Sequence, residues 1–297
     1  MALLSFASCG DNKNEKLTSS AGGLEQNDSG SDSDSSSCVA VNGKLPGTFS
    51  VSSTKQIHFL SGNLQYQAST GTWRFAKHQY DIIDSTNSNI SSSYAGWIDL
   101  FGWGTSGWNS GVKSYQPYSA SNSDSDYYPG GTYLYNFTGS ANADWGIYNA
   151  ISNGGNVAGQ WRTLTRNEFS FLYNGRMNAT SLRGWATVAG VTGYVFLPGD
   201  WTLPSGVKFT ANSCGFTTNQ YSADEWLVME NAGAVFLPAA GHRFGTKVSD
   251  VGAVGYYWSG TYNASSYVYY FNFTSSNVYA SNFSCSLSGR SVRLVQE

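Results

Sequence analysis

The sequence predicts an α+β domain with few helices, many short strands and long irregular loops. Three observations point there. Two helix starts are written locally as capping boxes, Thr165-Arg166-Asn167-Glu168 and Ser222-Ala223-Asp224-Glu225, in which the first side chain caps and the Glu reaches back. Short runs rich in β-branched and aromatic residues recur between turn residues, as strands require. Glycines alternate with large aromatics in Leu100-Phe101-Gly102-Trp103-Gly104-Thr105-Ser106-Gly107-Trp108, a pattern that packs as irregular loop rather than as strand or helix.

Taken in order, Ile57-His58-Phe59-Leu60 and Leu64-Gln65-Tyr66-Gln67 read as strands around Gly62, and Thr72-Trp73-Arg74-Phe75 reads as a third after Gly71. The aromatic loop at 100–108 reads as a cluster of buried rings. Residues 109–143 are rich in Ser, Tyr, Asn and Asp and read as a long surface excursion. After the first capping box, Phe169, Leu172 and Tyr173 recur at helical spacing up to Gly175; after the second, Trp226, Val228 and Met229 do so up to Gly233. Each helix leads into an apolar run, Tyr194-Val195-Phe196-Leu197-Pro198 and Ala234-Val235-Phe236-Leu237-Pro238.

The composition narrows the function classes. Charged residues make up 12 % of the 297, and the formal net charge is −3. No basic patch or Lys/Arg cluster stands out, so no nucleic-acid partner is expected. Abundant Gly, Tyr, Trp, Ser and Asn with little Pro suit a loop-rich extracellular domain. Residues 41–297 are long enough for a substantial core.

The first forty residues differ from the rest. Ala2-Leu3-Leu4-Ser5-Phe6-Ala7-Ser8-Cys9 is a short apolar run ending in small residues before a Cys, too short to span a bilayer. It has the character of the end of a secretory signal without its basic start. It also resembles the lipobox of bacterial lipoproteins, which implies acylation of Cys9, a signal remnant at 1–8 and a translation start further upstream. The Ser/Gly/Asp-rich tract within 9–40, with Asp28, Asp32 and Asp34 keeping it solvated, offers little to bury and reads as a disordered tether. A lipid anchor implies a membrane partner and a place at the bacterial outer membrane or cell surface. The remaining Cys38, Cys214 and Cys285 contain no CxxC pair, and no zinc site is indicated. A Cys214–Cys285 disulfide is open on sequence grounds; the plainer expectation is a buried Cys214 and an incidental surface Cys285.

The most informative stretch is residues 256–288. Of its 33 positions nine are Ser, seven Tyr and four Asn, and it holds no Lys, Arg, Asp, Glu, Gln, His, Met or Pro. Tyr supplies rigid contact area with a polar tip, while Ser and Asn supply adaptable hydrogen bonds, as in antibody paratopes. The buried positions of a strand pair are assigned to Trp258, Val268, Phe271, Phe273, Val278, Val292 and Leu294. The ligand-facing positions are assigned to Tyr262, Asn263, Ser265, Ser266, Tyr267, Tyr270, Asn272, Asn277, Tyr279, Ser281, Asn282, Ser284, Cys285 and Ser286, with Tyr269 able to serve either side.

Several motifs carry a family resemblance. Trp161-Arg162-Thr163-Leu164-Thr165-Arg166-Asn167-Glu168-Phe169 resembles the RLPTEAEWE segment of the formylglycine-generating-enzyme (sulfatase-modifying factor) branch of the C-type lectin fold. Gly255-Tyr256-Tyr257-Trp258-Ser259 and Gly289-Arg290-Ser291-Val292-Arg293-Leu294-Val295 resemble the GYYWSST…SVRLV ending of related bacterial surface domains. Together they cover about 44–297. The chain resembles the variable proteins of diversity-generating retroelements, in which a reverse transcriptase rewrites the 3′ end of the gene at template adenines. An AAY codon randomised at its adenines never yields Lys, Gln, Glu, Met, Trp or a stop. From Ser259 to Ser288 none of those five residue types occurs, and all ten tryptophans lie earlier.

The resemblance implies a C-type lectin-like, surface-displayed receptor or adhesin with a variable region at about 256–288. Its partner would be a protein or glycan on another cell, phage or host surface. The alternatives are a fixed adhesin or filament component of the same fold, or an enzyme of the formylglycine-generating type. That enzyme chemistry uses a close pair of cysteines to hold copper, and here Cys285 has no neighbour in sequence. His58, His78 and His242 have no metal-type spacing; His58 reads as structural and His242 as a strand end. The EPN, QPD and WND strings of calcium-dependent sugar binders are missing, although Asp144-Trp145 and Asp200-Trp201 keep part of the last. The expectation is a non-enzyme without cofactor.

Overall fold

The computed structural model describes residues 41–110, 112–123, 126–127, 136–264 and 267–297. Cys9, the tether, Ser265 and Ser266 lie outside the described residues. The start and end of the described chain meet in one antiparallel sheet of order β1-β2-β15-β5, built from β1 (Phe49–Ser50), β2 (Gln56–Phe59), β15 (Leu294–Gln296) and β5 (Arg162–Thr163). β15 pairs Val295 with Phe59 and Leu294 with Thr163. The apolar ending of the chain is therefore a central strand, buried at Leu294 and Val295.

Two hairpins and two larger sheets complete the architecture. β3 (Leu64–Gln67) pairs with β4 (Thr72–Phe75), and β10 (His242–Phe244) with β11 (Lys247–Ser249). A four-stranded sheet has the order β8-β6-β7-β9, from β8 (Gln220–Tyr221), β6 (Arg183–Val188), β7 (Val191–Phe196) and β9 (Val235–Pro238). The three-stranded C-terminal sheet has β12 (Gly255–Ala264), β13 (Tyr267–Phe273) and β14 (Val278–Cys285) in chain order. The helices are short: α1 (Trp145–Tyr148), α2 (Arg166–Ser170), prolonged by a wider turn over Phe171–Gly175, and α3 (Ala223–Asn231). None of the described helices is long and apolar enough to cross a membrane. The fold is mixed α/β, mostly strands and loops, as the sequence predicts.

Both capping boxes form as expected. Thr165 Oγ1 accepts from the Glu168 backbone N–H at 3.2 Å while Glu168 Oε2 accepts from Thr165 N–H at 2.8 Å. Ser222 and Glu225 repeat the arrangement. In α3 Trp226 and Met229 face the core, but Val228 is exposed, so the apolar stripe is narrower than its sequence suggests. α1 escapes the sequence reading because it is one turn long, capped by Asp144, whose side chain accepts from Gly146 N–H. β6 escapes it too, since Arg183 and Gly184 open the strand.

Loops this long leave many backbone carbonyls to satisfy, and burying them unpaired is costly. The chain meets this with its Trp and Arg. Indole N–H groups of Trp103, Trp161, Trp185 and Trp258 donate to the carbonyls of Ser259, Gly154, Thr274 and Phe101 at 2.6–2.7 Å. The Arg176 guanidinium donates to the carbonyls of Leu172, Leu197 and Leu182, and Arg243 to those of Gly245, Leu100 and Ser119. Burial lowers both guanidinium pKa values to about 10, still far above neutrality, so both stay charged.

The aromatic loop packs as predicted: Phe101 and Trp103 are buried, and Trp103 stacks on Phe137 with centroids 4.5 Å apart. The excursion at 109–143 is less superficial than expected, because Ser119, Tyr127 and Phe137 turn inward and are buried. Residues 111, 124–125 and 128–135 of it lie outside the described residues.

Candidate functional site

The C-terminal sheet has a buried base and an exposed tip. At the base, Tyr257, Phe271 and Phe273 are sealed in a core that also holds Phe169, Tyr194 and Phe196. Phe271 stacks on Phe169 with centroids 5.4 Å apart and rings nearly parallel, which seats α2 against β13. Trp258, Val268, Val292 and Leu294 are buried as assigned, and Val278 is half-buried.

At the tip, the β12–β13 turn carries Tyr262 and Tyr267, both exposed, with Asn263 and Tyr269 half-buried beside them. Phe283 of β14 joins this group. It is 50 % exposed and meets Tyr267 and Tyr269 edge to face, with centroids 5.9 and 6.0 Å apart. Cross-strand pairing of Tyr269 with Phe283 brings these rings together.

The structure divides the predicted ligand-facing residues. Tyr262, Asn263, Tyr267, Tyr269, Ser281, Asn282 and Ser284 are exposed or half-buried on the outer part of the sheet. Asn277 and Tyr279 are exposed but belong to the other end of β14, where Tyr279 pairs with Asn272 and Val278 with Phe273. Four assignments are corrected: Tyr270, Asn272, Cys285 and Ser286 are buried. Tyr270 lies against the Arg290 guanidinium, 3.6 Å from ring centroid to Cζ, and Tyr256 and Trp258 hold the same guanidinium at 4.8 and 4.7 Å. Asn272 Oδ1 accepts from Asn282 Nδ2 at 3.1 Å. Cys285 is disulfide-bonded, while Cys214 is an exposed free thiol. This reverses the expected burial of the two cysteines and rules out a bond between them.

Register accounts for Asn272; Tyr270 is buried against Arg290, and Cys285, opposite Tyr267, packs with Tyr127 and Leu287 while the Ser286 carbonyl accepts from Trp103 N–H. β13 shifts by a bulge between Tyr270 and Asn272 against β14, and β12 shifts between Trp258 and Tyr262 against β13. A bulge re-aims the side chains that follow it. At the base both faces of β13 are covered, so alternation stops reporting exposure there.

Beside the tip lies an open cleft of about 440 Å³. Three segments build it. The 136–138 loop contributes Asn136 and Thr138; the start of α2 contributes Thr165, Arg166 and Asn167; β12 and β13 contribute Gly260, Thr261, Tyr262, Asn263 and Tyr269. Direct bonds lock the walls. Tyr262 N–H donates to Asn136 Oδ1 at 3.0 Å, Arg166 N–H to Thr261 Oγ1 at 3.0 Å, and Tyr269 O–H to Asn263 Oδ1 at 3.0 Å. Phe137 N–H and Gly260 N–H donate to the carbonyls of Gly260 and Leu164. The Arg166 guanidinium lies 4.3 Å over the Tyr269 ring. Behind it, Arg162 grips Glu168 bidentately at 2.8 Å, and its Nε donates to Glu297 at 2.9 Å. The sequence assigns no ligand-facing role to Arg166, Asn136, Thr138, Asn167 or Phe283. Their proximity depends on loop packing that spacing does not encode.

The histidines stay apart from this region. His58 Nδ1 lies 3.2 Å from the Leu45 carbonyl, and burial lowers its pKa. His78 pairs with Asp81, and His242 with Asp250. Among the described residues no three His, Cys, Asp or Glu gather in a metal-holding group. Set against protein families, curated proteins and solved structures, the chain matches none.

Proposed function

We propose that the chain is a ligand-binding receptor or adhesin displayed on a bacterial surface, tethered through a lipidated Cys9, and that a retroelement diversifies its C-terminal sheet. One observation carries this reading: the strands that hold Tyr262, Asn263, Tyr267, Tyr269, Asn282 and Ser284 outward hold Trp258, Val268, Phe271 and Phe273 in the core. Side chains at the tip can then change while the backbone stays fixed, which keeps contacts preorganised and ordering costs low. The compositional exclusion of Lys, Gln, Glu, Met and Trp from 259–288 supports the adenine-directed route.

The same reading places the domain in the C-type lectin fold. Support comes from the pairing of β2 with β15, which ties the start of the domain to its end, and from the capped α2 packed on the terminal sheet. The test is the DNA beside the gene. A reverse-transcriptase gene and a near-copy of the codons for 256–295, differing mainly where it carries adenines, are expected. Neither being present would reduce the proposal to a fixed adhesin.

A further inference from the structure

We infer that the cleft beside the tip binds the carboxylate-bearing residue of an acidic glycan, with Arg166 as an anchor that diversification leaves unchanged. The inference rests on the proposed ligand face for its setting; its chemistry comes from the cleft alone.

Among the described residues Arg166 is the single charged one lining the cleft. None of the ion pairs among the described residues uses it, and its buried Nε has no hydrogen-bond partner there. A guanidinium is always protonated, and its planar fork fits a carboxylate. In this sequence the Tyr269 ring lies 4.3 Å from the guanidinium and supports it from one side. The neighbouring amides are committed in one sense only. Asn136 and Asn263 use their oxygens on Tyr262 N–H and Tyr269 O–H, so their NH₂ groups remain as donors. Guanidinium and amides thus present donors to one space, which selects an anion rich in acceptors.

A sugar satisfies the remainder of the lining better than a protein side chain does. The other walls are threonine hydroxyls and tyrosine rings, with no Asp, Glu, Lys or aliphatic residue. At about 440 Å³ the space falls within the size of small-molecule sites and exceeds what one aspartate needs. Asn136, Thr138, Arg166 and Asn167 precede residue 256 and would stay constant under the proposed diversification. Tyr262, Asn263 and Tyr269 belong to the proposed variable stretch. The cleft therefore joins a fixed anion anchor to a variable rim, so that variants would differ in the sugars flanking a shared acidic residue.

The experiment is calorimetric titration of the intact chain with glucuronic acid, N-acetylneuraminic acid, their methyl esters and a blocked aspartate. Saturable binding of at least one acid below roughly 10 mM is expected, with its ester and the blocked aspartate each weaker by about tenfold or more. Arg166→Gln should weaken the acid by about tenfold or more while lowering the melting temperature by no more than roughly 4 °C, and Arg166→Lys should restore part of the loss. Equal binding of acid and ester, unchanged affinity in Arg166→Gln, or no saturation by either acid would overturn the proposal. Arg166-dependent binding of the blocked aspartate alone would overturn the sugar assignment in favour of a protein ligand. These outcomes are separate from the retroelement: a failed titration leaves the locus evidence untouched, and a bare locus leaves the titration untouched.

Discussion

Tyr270→Ser separates the two roles that the terminal sheet combines. Tyr270 belongs by composition to the residues a diversified surface would present, yet it is 7 % exposed and its ring lies 3.6 Å from Arg290 Cζ. It also meets Trp258 and Tyr256 with centroids 6.0 and 5.9 Å apart. Truncating a buried aromatic costs about 3–5 kcal/mol, and part of that here is a desolvated cation–π contact of about 2 kcal/mol. A total near 4 kcal/mol would lower the melting temperature of a domain this size by roughly 8–16 °C. Tyr279→Ser is the control, because Tyr279 is 50 % exposed; its cost should stay within about 0.5 kcal/mol. Urea unfolding followed by tryptophan fluorescence and far-ultraviolet circular dichroism measures both. A Tyr270→Ser cost below about 1 kcal/mol, or equal costs for the two variants, would refute the division into base and tip.

Other perturbations follow from the same structure. Thr165→Ala removes the Oγ1 acceptor of the Glu168 N–H and should cost about 1 kcal/mol in chemical denaturation; no change would mean that the box does not hold α2. Gly241 has φ +70°, and a Cβ there would sit 2.2 Å from the Ser249 carbonyl oxygen, so Gly241→Ala should cost about 2–3 kcal/mol, read as a lower urea midpoint. Burial raises the Asp99 and Asp144 carboxyls to about 6. Because the folded value exceeds the unfolded one, their stabilisation is complete below the unfolded pKa and is lost as pH rises through about 6. Each can contribute a loss of about 3 kcal/mol. Asp99→Asn should flatten the fall in stability between acid and neutral pH; an unchanged profile would sink the assignment.

Much of the fold is legible in the sequence where the determinants are local. The capping boxes at Thr165 and Ser222 depend on four consecutive residues, and both form. The glycine-aromatic loop at 100–108 likewise packs as its composition implies. What could not be read is set by long-range packing. Nothing near Tyr270 in sequence announces the Arg290 guanidinium beneath it. The buried state of Asn272 follows from a bulge and from a base covered on both faces, and that of Cys285 and Ser286 from the distant Tyr127 and Trp103 packed at the end of β14. Phe283, assigned to neither side from the sequence, is exposed on the edge strand of the sheet opposite Tyr267 and Tyr269. The cleft joins β12 to two segments that lie 95 and 126 residues before it in sequence, so its members stay separate until the chain is folded.

The most direct test of a diversified tip on a fixed base is deep sequencing of the last fifty codons of this gene across a natural population carrying it. The account predicts substitutions concentrated at codons for exposed tip residues such as Tyr262, Asn263, Tyr267, Tyr269 and Asn282, with Trp258, Val268, Phe271, Phe273 and Leu294 unchanged. Invariant tip codons, or changes spread equally over the buried codons, would contradict it.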